Sequence, residues 1–114
     1  MYGYNAYQKA ARTTISPRSA EHRLLGEVTA ALIAADRNPE AKQQQVEALL
    51  WNKKVWDNLI IELKAEDNQL PADLRASMVK VGIWVLRETY RVLDGDSDIK
   101  SLIEINTIIM EGLR

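Results

Sequence analysis

The sequence predicts an all-α protein: a compact antiparallel bundle of four main helices, with a short fifth helix expected at the N-terminus. Three observations carry this. Apolar residues recur with a helical period through long segments. Proline marks the helix starts, in Ser16-Pro17, in Asn38-Pro39 and at Pro71. The linkers between periodic segments are short, which favours antiparallel neighbours. No strand hairpin or internal repeat competes with that reading.

Residues 1–15 are small, polar and aromatic, and Tyr4, Tyr7, Ala10 and Ala11 share one face of a short helix. Ser16 caps and Pro17 begins a helix over about 17–35, with Leu24, Leu25, Val28, Ala31, Leu32 and Ala35 on its buried face. Asp36-Arg37-Asn38 is the turn. Asn38-Pro39 repeats the start signal for a helix over about 39–66. Ala41, Ala48, Leu49, Val55, Trp56, Leu59, Ile60 and Leu63 lie in its apolar arc. That length leaves room for a break near Gln43-Gln44-Gln45 or before Trp51.

Glu66-Asp67-Asn68-Gln69 ends the second helix, and Pro71 opens the third. Leu74, Met78, Val81, Val85 and Val92 make one stripe; Val79, Ile83, Leu86, Tyr90 and Leu93 make another, nearly opposite. Only Asp73, Lys80, Arg87 and Arg91 form a polar strip. A helix with two apolar faces is expected at the centre of a bundle. Asp94-Gly95-Asp96 stops it, and Asp96 or Ser97 is the expected cap of the last helix. There Ile99, Leu102, Ile103, Asn106, Ile109, Met110 and Leu113 form a wide apolar face.

The chain's 114 residues suit one domain, spanning 1–114. Its formal charge of −1 supplies no general attraction to nucleic acid or anionic membrane. Without cysteine there is no disulfide or thiol chemistry, and the single histidine, His22, makes no clustered zinc site. Phosphate loops, nucleotide fingerprints and nucleophile motifs are absent, and Ser77 and Ser101 have no base positioned by sequence. Asp94, Asp96 and Asp98 lack the spacing of a calcium loop, so capping explains them. The expectation is a non-enzyme without cofactor or metal. The first residues do not read as a signal peptide, and no apolar run spans a bilayer, so a cytoplasmic protein without membrane insertion is expected.

Surfaces for partners are the better candidates. Tyr4 and Tyr7 either pack on the core or offer aromatic contact area. Leu50, Trp51 and Ile61 depart from the second helix's simple pattern, so something covers them or they meet a partner. Trp56 and Trp84 sit within buried patterns and are read as core. Arg18, Lys53, Lys54, Lys80, Arg87 and Arg91 are the candidate polar contacts. The strip of Lys80, Arg87 and Arg91 is either a solvated face or a contact for acidic protein or RNA phosphates. Arg75 lies elsewhere, at an apolar edge, where it is expected to snorkel or pair internally.

Several segments, in order, resemble a known family. They are Ala6-Tyr7-Gln8-Lys9-Ala10, Ser16-Pro17-Arg18, Glu21-His22-Arg23-Leu24-Leu25 and Val28-Thr29-Ala30-Ala31-Leu32. Ala48-Leu49-Leu50-Trp51-Asn52-Lys53-Lys54-Val55-Trp56 follows. Then come Leu70-Pro71-Ala72-Asp73-Leu74-Arg75-Ala76-Ser77, Ile83-Trp84-Val85 and the stretch from Ile103 to Leu113. Together they resemble the FlaF family of alphaproteobacterial flagellar biosynthesis proteins. Glu104 stands where that family's aspartate is expected, keeping the charge.

The resemblance implies a non-enzymatic part in flagellin production or secretion, beside the regulator FlbT, which acts on flagellin messenger RNA. Two mechanisms fit. The protein binds flagellin as an export chaperone or adaptor, covering amphipathic helices before assembly. Alternatively, it regulates through FlbT or the messenger RNA itself. A homo-oligomeric module is a third possibility left open by the residues.

Overall fold

Each of the four long periodic segments forms one helix: α1 (Pro17–Asp36), α2 (Lys42–Lys64), α3 (Ala72–Leu93) and α4 (Lys100–Gly112). The computed structural model describes residues 17–112, so the expected N-terminal helix lies outside the described residues. No strand occurs among them.

The helices close a ring. α1 packs on α2, α2 on α3, α3 on α4 and α4 on α1, while the backbones of diagonal pairs stay apart. Leu25, Val28, Leu32, Leu49, Trp56 and Leu102 fill its centre. Gly82 fixes the closest approach of α2 and α3: a Cβ there would lie 2.6 Å from Ile60 Cδ1 and 3.3 Å from Trp56 Cε3.

The middle of the core is polar. Trp56, wholly buried, donates from Nε1 to Asn106 Oδ1 at 2.9 Å. Asn106 Nδ2 donates to Asn52 Oδ1 at 2.8 Å and to Thr29 Oγ1 at 3.1 Å. One asparagine on α4 thereby ties α1 and α2 together through buried hydrogen bonds, which strengthen in the low interior dielectric. Asn52 Nδ2 has no protein partner in this network.

α3 is not the central helix that its two stripes predict. Met78, Gly82, Val85 and Thr89 are buried, but Ile83, Tyr90 and Leu93 of the second stripe are exposed. Leu74 is exposed as well, and Trp84, expected in the core, is 42% exposed. The reason is the ring. α3 has two neighbours, α2 and α4, and Ile83 and Tyr90 lie about 140–160° round the helix from Glu88, which faces α4, so neither neighbour covers them. The helix that meets the interior most completely is α2, with seven buried residues.

α2 runs unbroken from Lys42, so neither expected break occurs. Its start falls three residues after Pro39, because Asn38 to Ala41 form a turn closed by Ala41 N–H donating to Asn38 O at 3.0 Å. Its far end is covered by Arg75, whose Nη1 donates to the Leu63 and Ala65 carbonyls at 3.5 and 3.4 Å. That internal role fits the expectation for Arg75. Pro71 stands just before α3 in extended backbone.

α3 ends in a Schellman turn. Gly95 takes φ of 83°, Gly95 N–H donates to Val92 O at 3.1 Å, and Asp96 N–H donates to Arg91 O at 2.8 Å. Glycine carries no Cβ penalty in that left-handed conformation. The start of α4 is capped by Asp98, not by Asp96 or Ser97. Its Oδ1 accepts from Lys100 N–H at 2.9 Å, while Ser97 turns to Glu88.

Candidate functional site

The outer side of the α2–α3 pair carries the candidate site. α2 turns Ala48, Asn52, Val55 and Leu59 inward. At 100° per residue, Leu50, Asp57 and Ile61 then point away from the core. Leu50 is 48% exposed and Ile61 67%. On α3 the exposed part of the second stripe is Ile83, Tyr90 and Leu93, while Val79 and Leu86 are half-buried beside α2. The helices run antiparallel, with Ile60 beside Gly82 and Lys53 within electrostatic reach of Tyr90. That register carries Leu50 toward Leu93 and Ile61 toward Ile83. From Val46 to Ile61 the stripe extends about 22 Å, at 1.5 Å per residue.

A single ion pair interrupts it. Lys53 Nζ lies 3.0 Å from Asp57 Oδ2, one helical turn away. Hydrogen bonding to the Asp57 carboxylate, then its charge, raises the Lys53 ammonium above its ordinary value. Lys54 is exposed on the α2 side; Lys80 and Arg87 are exposed on the α3 side. None of these last three forms an ion pair among the described residues.

The other expected contacts separate from this face. Trp51 is exposed but lines a shallow groove with Ala31, Ala34 and Gln44, between α1 and α2. Arg91 is occupied: Nη1 lies 3.1 Å from Glu88 Oε1, and Nη2 donates to the Asp96 carbonyl at 3.2 Å. Tyr4, Tyr7 and the Arg18 side chain lie outside the described residues. Val46, Ile83, Tyr90 and Leu93 join the exposed apolar set, although the sequence pattern placed the last three in a buried stripe.

Glu88 is a second polar centre that sequence reasoning missed. It is buried at the α3–α4 corner, where Ser97 Oγ and Ser101 Oγ both donate to Oε2, the latter at 2.7 Å. These two hydroxyls hold its carboxyl below the ordinary 4.5, against the effect of burial, with Arg91 adding to them. The depressed value means that the ionised group stabilises the fold above its ordinary titration range. That contribution disappears as pH falls through the folded-state value. Glu88→Gln is expected to cost about 1.5–3 kcal/mol at pH 7, the scale of hydrogen bonds to a charged group. Urea denaturation at pH 7 and pH 3 checks this: the gap between variant and parent should narrow at the lower pH.

Among the described residues, no group of three or more His, Asp or Glu could hold a metal ion, and no helix is long and apolar enough to cross a membrane. Fold and site define a four-helix bundle with a polar-centred core and an open apolar face on one helix pair. The family model described as flagellar protein FlaF matches residues 4–113, and the chain belongs to that family. No curated protein and no solved structure matches it.

Proposed function

We infer that this protein is a non-enzymatic flagellar factor that acts in the cytoplasm by binding flagellin, as an export chaperone or adaptor. Family membership supports the flagellar setting. The observation that carries the binding reading is the exposed row of Leu50, Ile61, Ile83, Tyr90 and Leu93 on one side of a folded bundle. Apolar side chains gathered on one face favour contact with another apolar surface. Amphipathic flagellin helices are suitable guests for a face built from two parallel ridges.

The test is a titration of purified protein with purified flagellin at near-physiological salt, followed by light scattering and calorimetry. A discrete heterocomplex is expected, and its absence with both proteins folded would overturn the reading. The second reading, regulation with FlbT or through flagellin messenger RNA, draws on exposed Lys80 and Arg87, which form no ion pair among the described residues, on the same helix as exposed Tyr90. It predicts RNA binding that weakens steeply with salt.

A further inference from the structure

We propose that the α2–α3 face takes an amphipathic helix whose apolar stripe is flanked by carboxylates. This rests on the reading that the protein binds a helical partner, and it adds the surface and the partner's chemistry.

The charge distribution on these two helices selects that guest. Lys54 borders the apolar stripe on one side, and Lys80 and Arg87 border it on the other. All three are exposed and without an ion pair among the described residues. The carboxylates of α2 and α3 are mostly directed elsewhere. Glu62 lines a groove shared with α1 and Glu88 is buried at the α4 corner, while Glu47, on the same edge of α2 as Lys54, lies beside Trp51 and accepts from Gln43 Nε2 at 3.1 Å. Asp57 is the carboxylate within the stripe, and Lys53 neutralises it at 3.0 Å. Asp73 shares the strip of Lys80 and Arg87 but sits in the first turn of α3, about 15 Å along the helix from Ile83. A chain of formal charge −1 thus presents a locally cationic border around an apolar strip.

The stripe's length, about 22 Å, matches a guest helix of roughly four turns. Ridges of two antiparallel helices leave a shallow trough between them, suited to a third helix packed along it. A guest with Leu or Ile at i, i+3, i+4 and i+7 would cover Leu50, Ile83 and Tyr90. Asp or Glu on either side of that stripe would meet Lys54, Lys80 and Arg87. A cation-flanked guest would meet like charges, which cost affinity and encounter rate.

The experiment uses the full chain and two synthetic peptides of about 18 residues with the same leucine stripe. One peptide carries Glu on both flanks and the other Lys. Fluorescence anisotropy should show the Glu peptide binding at least about tenfold more tightly, the difference shrinking in high salt. The triple variant Lys54→Glu, Lys80→Glu, Arg87→Glu should reverse that preference. Ile83→Asp should abolish binding of either peptide while leaving the helical circular dichroism unchanged. Equal binding of the two peptides would overturn the proposal, as would binding indifferent to both sets of substitutions. A single-stranded RNA that binds this face more tightly than the Glu peptide would also overturn it, as would a stable dimer that occludes the face. Flagellin titrated in parallel separates the two readings. Flagellin binding that survives every face variant removes this proposal and leaves flagellin binding intact. The Glu preference without any flagellin binding does the reverse.

Discussion

Asn106→Ala should be among the most damaging single substitutions in this protein, lowering stability by about 3–4 kcal/mol. Asn106 is wholly buried, accepts from Trp56 and donates to Asn52 and Thr29. Truncation removes all three bonds at once. It strands the Trp56 N–H in a low-dielectric interior and leaves a void where an amide stood. Water reaching that void would recover part of the loss. Thermal unfolding should move down by roughly 12–32 °C, given 4–8 °C per kcal/mol for a domain near this size. Thr29→Val provides the scale: it deletes one of the three bonds at nearly constant volume and should cost about 1 kcal/mol. Equal losses in the two variants would mean that Asn106 is not the hub.

Gly82→Val should cost about 2–3 kcal/mol and push α3 away from α2. Even a first carbon at this position would come within 2.6 Å of Ile60 Cδ1 and 2.7 Å of Ile60 Cγ1. Branching adds a second clash, with Trp56 Cε3 3.3 Å from the same carbon limiting any retreat. Gly82→Ala is the finer probe. Alanine gains about 1 kcal/mol of helix propensity over glycine, which opposes the crowding. Shortening the neighbour in Gly82→Ala with Ile60→Ala should make the combined loss smaller than the sum of the separate losses, with coupling of about 0.5 kcal/mol or more. Denaturant titration of the four proteins checks it; additive losses would show that Ile60 moves aside freely.

The helix count, the order of elements and most of the core were legible in the chain. Periodicity carried Leu25, Val28, Leu32, Leu59 and Leu102 to the interior, where they lie. A helical period says which residues share a face, but not how many neighbours a helix will have. α3 therefore read as central, although its second stripe faces outward. Trp84 failed too: its pattern was apolar, yet it is 42% exposed. Start signals misplaced α2 because Asn38-Pro39 serves a turn before the helix.

The candidate face was half legible. Leu50 and Ile61 broke the buried pattern of α2 and so stood out, as did the cations beside them. Ile83, Tyr90 and Leu93 fitted a buried pattern and did not. The polar centres were invisible for a different reason. Asn52, Thr29 and Asn106 are distant in sequence, and only the crossing of three helices brings their side chains within hydrogen-bond distance. Glu88 likewise depends on Ser97 and Ser101, which only the turn after α3 brings to its carboxylate.

The asymmetric ring also has a dynamic consequence. α1, α2 and α4 share the buried asparagine network, so none of them can leave without exposing it. α3 stands outside that network and meets α4 least of any adjacent pair in the ring. Local opening is cheapest where buried contacts are fewest, so α3 is the segment expected to open first while the asparagine network holds the other three helices together. A guest lying across α2 and α3 would hold that segment down. Part of its binding free energy would be used in quieting a motion, and the same motion gives the guest a way in.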